Sequence, residues 1–291
     1  MKEGQYSRTA AGAAALRANH FLFTKNPVFT DPYAYHFTSA GWKKLLNQPV
    51  VVKFLNSKPM AVRLGLLTGQ VVGRARYAED ALKQAIAKGT RQYVIVGAGL
   101  DSFVMREAQK YPDLHIFEID HPDTQAEKQR KLCELGDISP NVHLVAVNFE
   151  KESIADALAK SAYQRNQPAF FSWLGTTHYL APQTTLATLQ SIAQYAASGS
   201  EVVLDYSIHY QELQGIERLG VMALSKFTQY LKEPLMGNFK VKALHDAVQQ
   251  LGYVVLEDLS GEGINQRYFA GRDDRILQTT ATHMLHLKNV K

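Results

Sequence analysis

From Gln92 onward the chain repeats one pattern: a short apolar run rich in β-branched residues, then a stretch whose apolar positions recur at helical spacing. Apolar runs of that length are the mark of strands buried on both faces, and their alternation with helices predicts a parallel sheet covered on both sides by right-handed crossovers. The predicted strands are QYVIVGAG, LHIFEID, NVHLVAVNF, PAFFSWLG and EVVLDYSI, with YVVLEDLS and ATHMLHLKNV closing a sheet of about seven strands. Between them SFVMREAQKYP, HPDTQAEKQRKLCELG, KESIADALAKSAY, TTLATLQSIAQYAASG and VKALHDAVQQLG read as helices. The fold class is therefore α/β, a doubly wound and mostly parallel sheet, and ligands of such sheets bind at the carboxyl ends of the strands.

Two stretches stand outside the alternation. Residues 1–88 read as helices, with Leu66, Val71, Ala75, Ala78, Leu82 and Ile86 on one face of the last and Gly89 as its stop. They are expected to cap the core formed by residues 89–291 rather than to make a separate domain. Residues 211–238 interrupt the pattern after the fifth strand with an amphipathic insert, placed like a lid.

Composition narrows the functional classes. With 291 residues, 46% of them hydrophobic, the chain can bury a large core. A single cysteine, Cys133, excludes an internal disulfide and a cysteine zinc cluster, and its mid-helix position reads as core. No apolar run approaches the ~18 residues of a spanning helix, so a cytoplasmic protein is expected. The net charge of +5 is mild, and Lys128/Arg130/Lys131 and Arg272/Arg275, the densest basic spots, are interleaved with acids and read as solvated faces. Neither nucleic acid nor membrane is expected as a partner, and no metal site is predicted.

The motif with most chemical content is the turn after the first strand, Gly97-Ala98-Gly99-Leu100-Asp101, with Asp120 ending the second strand 23 positions after Gly97. Glycines let a ligand lie against the backbone, and a carboxylate at the second strand end can accept hydrogen bonds from two ribose hydroxyls. A pyrophosphate cofactor asks for a third glycine where Ser102 stands, and Asp101 repels a diphosphate while it can hold an ammonium group. The turn thus suits S-adenosylmethionine better than NAD, whose dehydrogenases remain the alternative. Asn148 and Phe149, at the predicted end of strand three, have the chemistry to border an adenine ring.

The motifs SRTA, TDPYA, RARYAED, VIVGAGLDS, FEIDHPDTQAEK, VNFE and FFSWLGTTHYL occur in an order that resembles the leucine carboxyl methyltransferase-like family of class I S-adenosylmethionine-dependent methyltransferases, in particular its bacterial branch of small-molecule O-methyltransferases. The resemblance spans nearly the whole chain. It implies that Arg74 binds the methionine carboxylate, that Gly97, Ala98, Gly99 and Asp101 face the methionine moiety, that Asp120 and His121 lie at the ribose, and that Asn148 and Phe149 border the adenine, with Trp173 and Leu174 completing the contacts. Many relatives carry Asp in place of Asn148 and Glu in place of Leu174, so the protein-phosphatase methylation of eukaryotic members is not carried over. The expected reaction is methyl transfer to a carboxylate or hydroxyl of a small or carrier-bound acceptor. The catalytic residue is unknown, with His178 and His209 as candidate bases; Tyr33, Tyr35, Tyr77 and His178 are candidate walls of the acceptor pocket. A protein that keeps the cofactor pocket but has lost turnover is the remaining alternative.

Overall fold

The computed structural model describes residues 8–149, 151–215, 218, 222 and 236–291. Five helices come first: α1 (Arg8–Phe23), α2 (Ala34–Phe37), α3 (Ala40–Leu46), α4 (Pro49–Leu55) and the 30-residue α5 (Lys58–Ala87). The alternation then begins with β1 (Gln92–Val96), α6 (Phe103–Glu107), β2 (His115–Asp120), α7 (Pro122–Leu135) and β3 (Val142–Ala146). It continues through α8 (Ile154–Ala159), β4 (Phe170–Trp173), α9 (Pro182–Tyr195) and β5 (Glu201–Ile208). After the insert come β6 (Asn238–Phe239), α10 (Val241–Leu251), β7 (Tyr253–Leu259), α11 (Gly261–Ile264) and β8 (Thr282–Asn289).

The strand order is β3-β2-β1-β4-β5-β8-β7, with β6 pairing β5. Every pair is parallel except those that β8 makes with β5 and β7. The eighth strand, absent from the sequence prediction, is the two-residue β6, too short to register as an apolar run. Strand order reverses between β1 and β4, which opens a crevice at their carboxyl ends. All five residues of β1 are buried, as a strand covered on both faces requires. Alternate side chains feed two cores: Tyr93 and Ile95 pack with α1 and α5 residues, while Val94 and Val96 pack with residues of α8, α9 and α10.

Helix α5 ends as predicted, with Gly89 at φ +105 just past its last turn. Its glycines at 65, 69 and 73 were not read from the sequence, and they are where the chain after residue 274 closes against the helix. A Cβ on Gly69 would stand 2.1 Å from the Leu277 carbonyl oxygen, and one on Gly65 would stand 2.5 Å from that of Arg275. Leu66, expected on the inward stripe, is exposed, because the inward face at this level is the glycine face.

Helix α7 corrects two further expectations. Thr124, Gln125, Lys128, Lys131 and Leu132 are its buried residues, a stripe at i, i+3, i+4 spacing that leaves Cys133 exposed rather than in the core. Lys128 and Lys131 are accordingly not a solvated face. The Lys128 ammonium lies 2.7 Å from the Glu118 carboxylate, and that of Lys131 donates to the carbonyl oxygens of His36 and Thr38. Strand three also stops at Ala146, short of Asn148. The predicted lid lies largely outside the described residues; its flanks hold a short helical turn at Tyr210–Glu212 and β6. Among the described residues no helix is long and apolar enough to cross a membrane.

In the cap, the His20 ring is fully buried, with Nε2 accepting the Val28 N–H at 2.9 Å and Nδ1 lying 3.2 Å from the Thr24 hydroxyl. Burial, helped by the Arg272 cation, pushes its pKa down to about 4. An unfolded histidine takes up its proton near pH 6.5, so folding stability is expected to drop by about 3 kcal/mol as pH falls from there to about 4. Urea unfolding across this pH range checks it, and His20→Asn should flatten the slope.

Candidate functional site

A cavity of ≈ 750 Å³ opens over the carboxyl ends of β1 and β4. Its floor is the turn after β1, where Gly97 (φ +66) and Gly99 (φ +52) take left-handed conformations that side chains disfavour. The Gly97 and Ala98 N–H groups donate to the Ile119 carbonyl at 2.8 and 3.0 Å, stitching the turn to β2. A Cβ on Gly97 would stand 2.8 Å from Thr176 Cγ2, so glycine keeps the floor open.

Asp120 closes the end of β2. Its Oδ2 accepts the Gly99 N–H at 2.5 Å and its Oδ1 the His121 N–H at 2.6 Å. Burial raises the Asp120 pKa, against the pull of those two N–H groups. Each oxygen keeps a lone pair, so the carboxylate is held in place to accept hydroxyl donors. Asp101 also lines the cavity. Burial would raise its carboxyl, but Arg17, Arg106 and Lys128 and the Phe103 N–H, donated to Oδ1 at 2.7 Å, hold it below the usual range. Ser102, which stands where a pyrophosphate site has its third glycine, turns its hydroxyl to accept from Arg106 Nε at 2.8 Å.

The opposite wall is built on Asp205 of β5, fully buried. Its Oδ1 accepts the Gly175 N–H at 2.7 Å, and its Oδ2 lies 3.2 Å from Arg74 Nη1 and 2.9 Å from His178 Nε2. Burial opposes ionisation, yet the His178 ring, the Arg74 cation and the Gly175 N–H hold the Asp205 carboxyl far below the usual range. Gly175 is required at φ +74, and a Cβ there would stand 2.4 Å from the Arg74 guanidinium. Arg74 is thereby seated in the cavity wall by a glycine turn and a buried acid. The sequence reading found Arg74 and His178 but missed Asp205, which joins them; its signal is an acid in the middle of the apolar run that follows Glu201, since a charge in a doubly covered strand needs a partner.

Of the predicted cofactor contacts, Arg74, Gly97, Ala98, Gly99, Asp101, Asp120, His121, Phe149, Trp173 and Leu174 all line this cavity. Asn148 does not; its carbonyl caps a turn by accepting the N–H groups of Lys151 and Glu152. The two candidate bases also fall outside it. His178 has both ring nitrogens engaged, Nε2 with Asp205 and Nδ1 with the Ser207 hydroxyl at 2.7 Å. His209 starts the turn after β5, where its Nδ1 accepts the Gln211 N–H at 3.3 Å.

The three cap tyrosines are packing residues. The Tyr77 hydroxyl donates to Glu257 at 2.7 Å, Tyr33 packs on the core beneath α1 and α5, and Tyr35 packs beside Ala18, Ala34 and Leu46. The cap meets the cavity instead through small side chains, Ala10 and Ala13 of α1 and Ala75 and Ala78 of α5, with Arg17 and Glu79 beside them. Tyr179, Leu180, Thr188 and Met236, none singled out from the sequence, complete the far side.

Residues 10–193 match the family model for leucine carboxyl methyltransferase. The chain belongs to that family. YktD of Bacillus subtilis (strain 168), named as an S-adenosyl-L-methionine-dependent methyltransferase, is 29% identical over 302 residues, covering 98% of this chain and 99% of its own. A Mycobacterium marinum protein of the same description is 30% identical over 204 residues, 67% of this chain and 60% of its own. Among solved structures, a protein of Thermobifida fusca YX described as a methyltransferase has a TM-score of 0.61 at 12% identity, covering 100% of this chain and 97% of that one. Magnesium protoporphyrin IX methyltransferase from Synechocystis PCC 6803, with bound S-adenosylhomocysteine, has a TM-score of 0.51 at 12% identity, covering 82% of this chain and 98% of that one.

This leucine carboxyl methyltransferase family member is thus an S-adenosylmethionine-dependent methyltransferase of class I fold, and the dehydrogenase reading falls. The cavity fits the cofactor. Its volume lies in the ~300–1,000 Å³ range of small-molecule sites, a Cβ would fill the glycine floor, and the donor set pairs a guanidinium with two carboxylates, as a zwitterionic amino acid and a diol require.

Proposed function

We propose that the protein transfers a methyl group from S-adenosylmethionine to an oxygen of a small or carrier-bound acceptor, and that this oxygen is already ionised, a carboxylate or an acidic hydroxyl. The observation that carries this reading is the engagement of both His178 nitrogens, which leaves that histidine nothing with which to take an acceptor proton. S-adenosylmethionine, when bound, supplies a methyl carbon already activated by its sulfonium charge, so the protein's part is alignment and exclusion of water. In this reading the Arg74 guanidinium holds the methionine carboxylate, Asp101 faces the ammonium, Asp120 accepts from the ribose hydroxyls and Phe149 covers the adenine. Trp173, Leu174 and Tyr179 then form apolar walls near the transfer point. The reaction is assigned to the cytoplasm, in keeping with a single cysteine that is free.

The test is release of S-adenosylhomocysteine across a panel of carboxylic acids, phenols and alcohols, with pH profiles for every acceptor that reacts. Rates should follow the acceptor's own ionisation, level above about pH 6 for a carboxylate and rising toward about pH 10 for a phenol. A limb in the pH profile that disappears in His178→Gln would overturn the base-free reading. Tight S-adenosylhomocysteine binding with no turnover on the whole panel would favour the non-catalytic alternative. Calorimetric titration of Arg74→Ala and Asp120→Ala should show S-adenosylhomocysteine binding weakened by about 10- to 100-fold in each, the size of one lost charge-assisted hydrogen bond. Wild-type affinity in both variants would refute these assignments.

A further inference from the structure

Helix α4, PVVVKFL, has no buried residue although five of its seven side chains are apolar and unrestricted by proline or charge. Val50 and Phe54, one turn apart, are 81% and 60% exposed. Val51, Val52 and Leu55 are only partly buried, less packing than ordinarily stabilises so apolar a helix. Its neighbours extend the same surface. α4 packs against α3 and α5, and the Asn19 and Asn56 side-chain amides exchange two hydrogen bonds of 3.1 Å that join the end of α1 to it. Leu22 and Phe23 at the end of α1, Leu45 in α3, and Leu66 and Leu67 in α5 are exposed as well.

The charge of this region is one-sided. Between Asp31 and Glu79 the sequence has no acidic residue, while Lys43, Lys44, Lys53, Lys58 and Arg63 fall on α3, α4 and the first turns of α5, before Arg74 and Arg76, which pair with Asp205 and Asp80. Lys44, Lys53 and Lys58 are exposed among the apolar side chains just named. Against the expectation that no membrane is a partner, we propose that α3, α4 and the first turns of α5 dock the protein on the anionic surface of a lipid bilayer. Apolar side chains ringed by lysines are the composition of helices that lie in a membrane interface, the lysines meeting anionic headgroups. Interfaces with proteins are instead depleted in lysine, which disfavours an acidic protein as the occupant.

The surface leads to the cavity. Leu67, Val71, Ala75 and Ala78 lie on one face of α5, and the last three line the cavity wall. A protein seated in this way holds the cavity beside the bilayer, where an apolar acceptor would be found. That consequence rests on the methyl-transfer reading, whereas docking itself does not.

Sedimentation with vesicles of phosphatidylcholine alone, and of phosphatidylcholine mixed with an equal part of phosphatidylglycerol, tests the docking. The protein should sediment with the mixed vesicles only, and raised salt should release it. Lys44→Ser, Lys53→Ser and Lys58→Ser should each weaken binding about fivefold, and Phe54→Ser about tenfold. S-adenosylhomocysteine affinity should stay at the wild-type value in all four, which separates this test from that of the site. Failure to sediment with either vesicle would overturn the proposal. Equal binding to both vesicles, or mixed-vesicle binding unchanged in the variants, would overturn it too.

Discussion

Replacing Asp205 with alanine is expected to remove about 3–5 kcal/mol of folding stability, the usual cost of deleting one partner from a buried ion pair. Arg74 and His178 would be left without the carboxylate between them, and the Gly175 N–H would lose its acceptor. S-adenosylhomocysteine binding should fall with it, because among the described residues Asp205 is the carboxylate that holds the Arg74 guanidinium in the cavity wall. Asp205→Asn separates shape from charge: it keeps the volume and should recover part of the stability but little of the affinity. The sign of the pH effect follows from the depressed carboxyl. Its contribution is present above the unfolded value of about 3.9 and is lost as pH falls below it. Thermal unfolding and calorimetry on the two variants check both quantities, and unaltered affinity in Asp205→Ala would refute a positioning role.

Lys128→Ala should be comparably damaging, again by about 3–5 kcal/mol, since it strands the Glu118 carboxylate beneath the glycine turn. Both side chains of this pair are almost wholly buried. Burial raises the Glu118 pKa, and Lys128 opposes that rise, so the variant's carboxyl should titrate higher still. A raised carboxyl gives stability that is full below its unfolded value of about 4.5 and is lost as pH climbs through the folded value. The variant should therefore be closest to wild type at mildly acid pH and fall behind it with increasing pH. Chemical unfolding at a series of pH values tests this. The double variant Glu118→Leu/Lys128→Met, which removes both charges and keeps the volume, should regain most of the loss. A loss independent of pH would mean that packing of the lysine stem, not its charge, is what α7 contributes.

The alternation of strands and helices was legible because doubly covered strands must be apolar throughout, and QYVIV and FFSW are buried at every position. The cofactor turn was legible for a related reason: a backbone that passes under a ligand needs glycine at fixed places, and Gly97 and Gly99 both have positive φ. Side-chain partnerships across the fold were not. Lys128 and Lys131 read as surface because a lysine carries no mark of the acid or carbonyl it will meet, and Cys133 read as core because the inward stripe of α7 is itself polar. Asp205 was passed over for the same reason, its partners Arg74 and Gly175 being distant in sequence. The tyrosines of the cap go to the packing between layers, and the cap meets the cavity largely through alanines, which carry no mark of a ligand.

The position of β8 has a consequence for the order in which the molecule can be assembled. This strand lies between β5 and β7 and pairs with both, and the segment leading to it, through Arg275 and Leu277, rests in the glycine face of α5. On a ribosome, β5 emerges about 70 residues before β8, several seconds earlier at roughly 5–20 residues per second. Throughout that interval β5 presents an open edge, and α5 waits for the backbone that fills its groove. Folding therefore cannot proceed strictly from the first residues to the last: the cofactor floor is synthesised early, while the strand that locks the sheet beneath it comes late.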